Sequence, residues 1–334
     1  MALSSDDIKK GILEAKAEAA RRRLKAANMK VAAVVKMSAA AKLVEAASKP
    51  VGAPAKEVPA HGRELVKDLI AKHAVQIAAL RKLVEVDPLF VPARHDDLWL
   101  LRFLLSHKLN LAASAAAAKG CLAYRLKYNL DDPALAISGP EVLKIPSVAT
   151  MLAGLADPSA ILYHVPDPDR GPFLMVRPAH IDLHTFMAKV PAEDHYTDQR
   201  LAIEWLFRQC DSTTRRTGYL TKYVRLINLE GMTLNKLHRE FPKRLSVVMR
   251  EAEDAYPQLL SALLICHAPG FVNFLFRGFR VLMPPRVIEK VDFLAPKRDA
   301  ADRERLAKHA ELARMPEAVG GTCEPWPPPN ARFA

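Results

Sequence analysis

Tyr256 to Val291 reads YPQLLSALLICHAPGFVNFLFRGFRVLMPPRVIEKV, and the reading of this stretch decides the fold. Ala262 to Cys266 is a short apolar run of the kind that suits a strand buried on both faces, and Ala268-Pro269-Gly270 breaks it into a turn. From Phe271 to Met283 the period changes. Asn273, Arg277 and Arg280 fall at i, i+4 and i+7 on one face of a helix, while Phe271, Phe274, Leu275, Phe279 and Leu282 fill the other faces. Pro284-Pro285 ends it. At about 1.5 Å per residue this helix is about 20 Å long, short of the roughly 30 Å hydrocarbon core of a bilayer. Phe271, Phe274, Phe276 and Phe279 crowd into nine residues, so the helix covers an apolar phase. A packed core and a movable lid over a lipid cavity both fit that pattern.

Upstream, Leu237 to Ala255 has the spacing of a helix, and Tyr219 to Leu229 has the β-branched and aromatic bias of a strand, ended by Glu230-Gly231. Residues 182 to 210 read as helices, with Arg200, Ile203, Glu204 and Phe207 spaced for one. Ile161 to Val165 and Phe173 to Arg177 read as a hairpin joined by a turn rich in proline and aspartate, and Pro133 to Pro158 as a loop-rich crossing. Before it come three helical segments: Arg63 to Val86, Leu98 to His107 opened by Asp96-Asp97, and Ala112 to Tyr128. Residues 1–49 are Ala-rich with scattered Lys and Arg, a helical or disordered basic arm, and Pro50, Pro54 and Pro59 mark a linker.

These motifs, in this order, resemble the CRAL-TRIO lipid-binding family. Its members show Tyr-Pro-Glu, a strand ending in Asn-x-Pro, an aromatic gate helix and a Pro-Lys-Thr-x-x-Lys-Ile stretch. The matching residues are Tyr256-Pro257, Cys266-His267-Ala268-Pro269, the Phe-rich helix, and Pro285 to Val291. Leu100 to Leu104, Lys108 and Tyr124-Arg125 are similar to the family's N-terminal helical module, Asp169 to Pro172 to its first hairpin turn, Asn228 to Gly231 to its Asp-Leu-x-Gly, and Gly320-Gly321-Thr322 to its closing motif. The resemblance implies an α/β domain: a mixed sheet floors an apolar lipid cavity under the gate helix, preceded by a small all-α module. The expected division is an arm and linker at 1–60, the helical module at 61–132, the lipid-binding domain at 133–325 and a Pro-rich tail at 326–334.

The chain of 334 residues is half apolar and carries a net charge of +12, of which residues 1–60 contribute half. No nucleic-acid-binding motif accompanies that charge, so an anionic membrane surface is the expected partner. No run of eighteen apolar residues and no signal-peptide core occurs, which points to a cytoplasmic protein that touches membranes peripherally, as a monomer. Cys121, Cys210, Cys266 and Cys323 stand far apart and read as free thiols. His180-x-x-x-His184 has metal-ligand spacing if helical but lacks a zincin glutamate, and no metal or cofactor other than a bound lipid or hydrophobic ligand is expected. The chain has no G-x-S-x-G elbow, P-loop or dinucleotide fingerprint, so an enzyme is not expected.

The expected lipid-facing residues are Tyr223, Arg225, Ile227, Leu264 and Cys266 on the two central strands, with Phe271, Phe274, Leu275, Phe279 and Leu282 on the gate. Arg225 stands mid-strand, where an arginine is costly without a partner. It reads either as a ligand anchor or, more often for such a residue, as the partner of a structural acid such as Glu204 or Glu251. Arg277, Arg280 and Arg286 form an expected basic rim for membrane docking. By position the resemblance assigns the headgroup to Gln258, Val287 and Lys290. Phosphatidylinositol-transferring members have Glu and Thr at the first two positions, so only Lys290 keeps the pattern and another phospholipid or a neutral apolar ligand also fits. The expected function is binding of one lipid in an internal cavity and its exchange at membranes. The alternative is a lipid-sensing adaptor that holds its lipid statically and recruits a partner through the basic arm.

Overall fold

The computed structural model describes residues 63–132, 135, 139–155, 157–272, 276, 283, 285–294, 300–309, 311–315, 321–322 and 332. The basic arm, the linker, Cys323, and Phe274, Leu275, Arg277, Phe279, Arg280 and Leu282 of the gate lie outside them.

Among the described residues four helices come first: α1 (Val66–Lys72), α2 (Ala74–Val84), α3 (Asp97–Ser106) and α4 (Leu111–Lys127). The single helix expected over Arg63 to Val86 is broken at His73, whose ψ of 19° does not continue either helix. Asp96 caps α3 as its charge suggests, its carboxylate accepting from the Trp99 amide at 3.0 Å. Ile77, Leu80, Leu100, Leu101, Phe103, Ala118 and Cys121 pack into one core that also takes in Leu220 of the following domain. Arg102 is 1% exposed and donates to Asp211 and Thr214, tying this helical unit to the next.

The crossing read as a loop contains a helix, α5 (Pro146–Gly154), with proline at its first turn and Val148 and Met151 buried. Two prolines at the ends of that crossing hid nine helical residues between them. The hairpin β1 (Ile161–His164) and β2 (Phe173–Val176) is antiparallel, and β3 (Tyr223–Asn228), β4 (Leu260–Cys266) and β5 (Val291–Phe293) follow in parallel, giving the order β1-β2-β3-β4-β5. Between β2 and β3 run α6 (Leu183–Lys189) and α7 (Ala192–Thr217), and between β3 and β4 runs α8 (Phe241–Ala255). Gly218, at φ 76°, ends α7 in the left-handed conformation that glycine adopts without strain.

Strand order advances in one direction, so right-handed crossovers bring the connecting helices to one side of the sheet. That side, the inner face, carries Tyr163, Leu174, Tyr223, Arg225, Ile227, Leu263, Ile265 and Phe293 by register. There α7 and α8 meet it through Trp205, Leu206, Cys210, Ala252 and Ala255. On the opposite face Phe173, Met175, Val224, Leu226, Leu264 and Cys266 pack under Leu294, Met315 and Leu306 of α10 (Ala300–Ala307), while α9 (Pro285–Ile288) directly precedes β5. Among the described residues no helix is long and apolar enough to cross a membrane.

Candidate lipid-binding site

The pleat divides the residues expected to line a cavity. Tyr223, Arg225 and Ile227 share the inner face, but a β-bulge between Tyr223 and Val224 sets the register so that their neighbours on β4 are Leu260, Leu263 and Ile265. Leu264 and Cys266 point the other way into a closed core, at 1% and 4% exposure. A strand buried on both faces has no alternation to reveal which residues face which side.

The gate segment follows the carboxyl end of β4. His267 stands at φ 52°, the Val272 amide donates to the Pro269 carbonyl at 2.9 Å, and Val272 and Phe276 are helical. Phe271 lies half-buried in the turn that precedes them. Phe276 meets Phe293 edge-on, centroids 5.2 Å apart and planes at 88°. Phe293 pairs with Ile265, so this contact brings Phe276 onto the inner face.

Arg225 has neither of the acids proposed for it. Glu204 accepts both guanidinium nitrogens of Arg125 (3.0 and 2.9 Å), Arg208 Nε (2.7 Å) and the Tyr256 hydroxyl (2.8 Å). Glu251 accepts from Arg200 and Tyr128. Both acids are engaged because α7 and α8 turn them toward α4, away from β3. Arg225 Nε is buried and has no hydrogen-bond partner among the described residues, and the same holds for Trp205 Nε1 in the cluster over Tyr163 and Leu174. Arg63, Arg102, Arg170, Arg200 and Arg244 also have a buried Nε in that state, so what sets Arg225 apart is its place in the middle of a strand on the inner face, between Leu174 and Leu263.

The Glu204 hub also explains two sequence motifs. Tyr124-Arg125 and Tyr256-Pro257 converge there, so both serve to clamp the helical unit to the sheet. Burial works to raise the Glu204 carboxyl, but Arg125 and Arg208 hold it below its ordinary value.

At the amino ends of the parallel strands, Gln258 sits at φ 56° and its backbone amide donates to Ser106 Oγ at 3.0 Å. Lys290, just before β5, donates to the Leu260 carbonyl at 2.6 Å. Burial, with Lys222 and Arg286 nearby, lowers its ammonium to about 8. Gln258 and Lys290 thus flank the start of β4, while Val287 lies half-buried in α9. Lys222, which the sequence did not single out, joins them; it directly precedes β3. Arg286 is not a free rim charge: its Nε donates to Glu253 at 2.8 Å and its Nη2 to Asp254.

His180 closes a short 3-10 turn and pairs with Asp157 at 2.7 Å, whereas His184 lies in α6 against His238, so the two histidines do not share a helix face. Cys121, Cys210 and Cys266 are free and buried, and burial pushes the first two thiols up to about 12.

A mixed five-stranded sheet with its connecting helices on one face, and Phe276 against Phe293 on that same face, defines an α/β class of domain. The CRAL/TRIO domain family matches residues 157–321. A "Phosphatidylinositol/phosphatidylcholine transfer protein SFH7" of Arabidopsis thaliana is 21% identical over 77% of this chain and 45% of its own length. The "Sec14 cytosolic factor" of Schizosaccharomyces pombe is 21% identical over 72% of this chain and 80% of its own length. The "Protein real-time" of Drosophila melanogaster is 22% identical over 79% of this chain and 39% of its own length. The chain therefore spans less than half the length of the plant and fly relatives. The crystal structure of Sfh5 superposes with a TM-score of 0.53 at 11% identity, covering 80% of this chain and 90% of that one, a likeness of fold. The chain carries a domain of the CRAL-TRIO lipid-binding family.

Proposed function

We propose that this protein binds one lipid against the inner face of its sheet, under the Phe271–Met283 segment, and exchanges it at membranes. The observation that carries this reading is Arg225: a cation on the covered face whose buried Nε has no hydrogen-bond partner among the described residues. A lipid phosphate or carboxylate gives it the charged acceptor it lacks, and guanidinium binds such groups in two-pronged fashion. The apolar remainder of the face, Ile227, Ile265 and Phe293, suits acyl chains, each methylene of which gains about 0.8 kcal/mol on leaving water. The relatives named for phosphatidylinositol and phosphatidylcholine transfer support the phospholipid class.

In this reading the gate phenylalanines swing into the membrane interface, Phe276 leaves Phe293, and the lipid partitions between protein and bilayer. Lys290, Lys222 and Gln258 form a second polar corner at the amino ends of the strands, where an inositol-lipid site would need the glutamate and threonine that Gln258 and Val287 replace. The preferred ligand is therefore a phospholipid held through its phosphate by Arg225 rather than through inositol hydroxyls.

The test is native mass spectrometry of purified protein followed by transfer of labelled phosphatidylcholine, phosphatidylinositol and diacylglycerol between vesicles. One bound phospholipid and transfer of phosphate-bearing lipids over diacylglycerol is the expected result. Protein that carries no lipid and takes none up refutes the reading.

A further inference from the structure

The end of α3 meets the following domain through a cluster of titratable side chains that neither the Glu204 hub nor the Arg225 site uses. His107 caps the carboxyl end of α3, and Glu253 and Asp254 lie in the last turn of α8. Arg286 belongs to α9, which directly precedes β5. It donates from Nε to Glu253 at 2.8 Å and from Nη2 to Asp254 Oδ1, and its Nη1 stands 3.5 Å from His107 Nε2. The same His107 nitrogen is 3.9 Å from Asp254 Oδ1. One residue earlier, Ser106 Oγ accepts from the Gln258 amide at 3.0 Å, so this seam borders the corner that holds Gln258 and Lys290.

A guanidinium only donates, so Arg286 bonds His107 while Nε2 keeps its lone pair, which puts the single proton of the neutral ring on Nδ1. A second proton changes both neighbours at once. Nε2 becomes a donor and a cation beside Arg286, and within its reach lies the same Asp254 oxygen that Arg286 holds. His107 is faced by Arg286 from α9 and by Glu253 and Asp254 from α8; Lys108 beside it is exposed, and Lys290 adds its charge next to Arg286. Burial, and after it Arg286, lowers the His107 imidazolium below its ordinary value of 6.5 against the pull of Asp254 and Glu253. A histidine depressed in the folded chain contributes stability that is complete above the ordinary value and is lost as pH falls through the folded one.

We propose that His107, Arg286, Glu253 and Asp254 form an acid-sensitive clasp between the helical unit and the domain that follows it: a proton on His107 takes Asp254 Oδ1 from Arg286 and loosens α9 from the end of α3. At neutral pH the clasp is closed, with Arg286 on both carboxylates and on His107. In acid Arg286 keeps Glu253 alone, and the Ser106 to Gln258 bond is left to hold the seam beside it. The surface of an anionic bilayer, at about −30 mV, concentrates protons about threefold, so the clasp opens more readily there than in bulk water. It needs no bound lipid and stands whether or not the lipid-binding reading holds.

The test follows hydrogen exchange of the peptide spanning residues 285–290, and urea unfolding of the full chain, from about pH 7.5 to about pH 5 in wild type, H107Q and H107K. Glutamine does not titrate in this range, and lysine carries a positive charge throughout it. Wild type and H107Q should agree at the upper end of the series. Below the ordinary histidine value, exchange in wild type should rise severalfold above that of H107Q at the same pH, and its unfolding midpoint should fall relative to that of H107Q. H107K should exchange fast at both ends. If the ratio of wild type to H107Q stays within about twofold across the series, the proton on His107 does not open the seam and the clasp is wrong; this comparison decides the matter even if H107K folds poorly. If H107K folds but exchanges as slowly as H107Q at the upper end, a charge at this position does not displace Arg286, which also overturns it.

Discussion

Replacing Arg225 with leucine should move stability and binding in opposite directions. In β3 the side chain lies between Leu174 and Leu263 on adjacent strands, and its buried Nε has no hydrogen-bond partner among the described residues. A cation held on an apolar face is a cost to the lipid-free fold, and exchanging buried charge for a hydrophobic side chain commonly stabilises by about 1–4 kcal/mol. Arg225 is partly exposed, which places the gain at the low end, about 1–2 kcal/mol, or a rise of roughly 2–8 °C in Tm for a domain of this size. The lipid phosphate, by contrast, loses a charge-assisted contact of about 1.5–3 kcal/mol, equivalent to roughly 10- to 150-fold weaker binding. Thermal unfolding of delipidated protein gives the first quantity, and equilibrium partitioning of labelled phosphatidylcholine and diacylglycerol gives the second. The phospholipid should weaken and the diacylglycerol should not. If Arg225→Leu lowers the Tm, or weakens both ligands equally, Arg225 is a structural residue and the anchor argument fails.

Three further outcomes follow from the same geometry. Glu204→Gln leaves Arg125 and Arg208 without their buried carboxylate and should cost about 3–5 kcal/mol in urea unfolding; because the folded carboxyl lies below its ordinary value, the wild-type advantage is present above that ordinary value and fades as pH falls through the folded one, so the gap between the two proteins should close in acid. A loss under about 1 kcal/mol at pH 7 would show that the hub is not a clamp. The Lys290 ammonium, lowered to about 8, is released from its proton more easily in the folded chain than in the unfolded one, so this residue makes stability rise with pH from about 8 toward 10.5. Lys290→Gln should flatten that rise in a pH series of unfolding midpoints, and an unchanged slope would contradict it. Gly171→Ala places a Cβ 1.9 Å from the Lys222 carbonyl oxygen, so the hairpin turn must move; a loss of about 2 kcal/mol or more is expected, and a neutral substitution would show that the turn does not press on Lys222.

Local patterns carried much of the architecture. The apolar run of β4, the Ala-Pro-Gly break and the return of a helical period placed strand, turn and gate segment in order, because burial on both faces and amphipathic periodicity leave a mark within a few residues. Asp96 at a helix start and Gly218 at a helix end are equally local. The ordered set of motifs named the family. The short helix Pro146–Gly154 escaped because its flanking prolines outweighed nine residues of modest periodicity.

What the sequence could not supply depends on which surfaces meet. It placed Leu264 and Cys266 with Arg225, whereas a one-residue bulge and a second core beneath the sheet put Leu263 and Ile265 there instead. It offered Glu204 and Glu251 as partners for Arg225, whereas the rotation of α7 and α8 commits both acids to other cations. It held no sign that Asp198 and Arg332 touch, since a pairing across 134 residues leaves no periodicity to read. The sequence alone determined the elements, their order and the chemistry available, because those follow from side-chain type and spacing along the chain. Only the tertiary structure decided which face each side chain takes and which charge answers which, because register and helix rotation are set by the whole packed core.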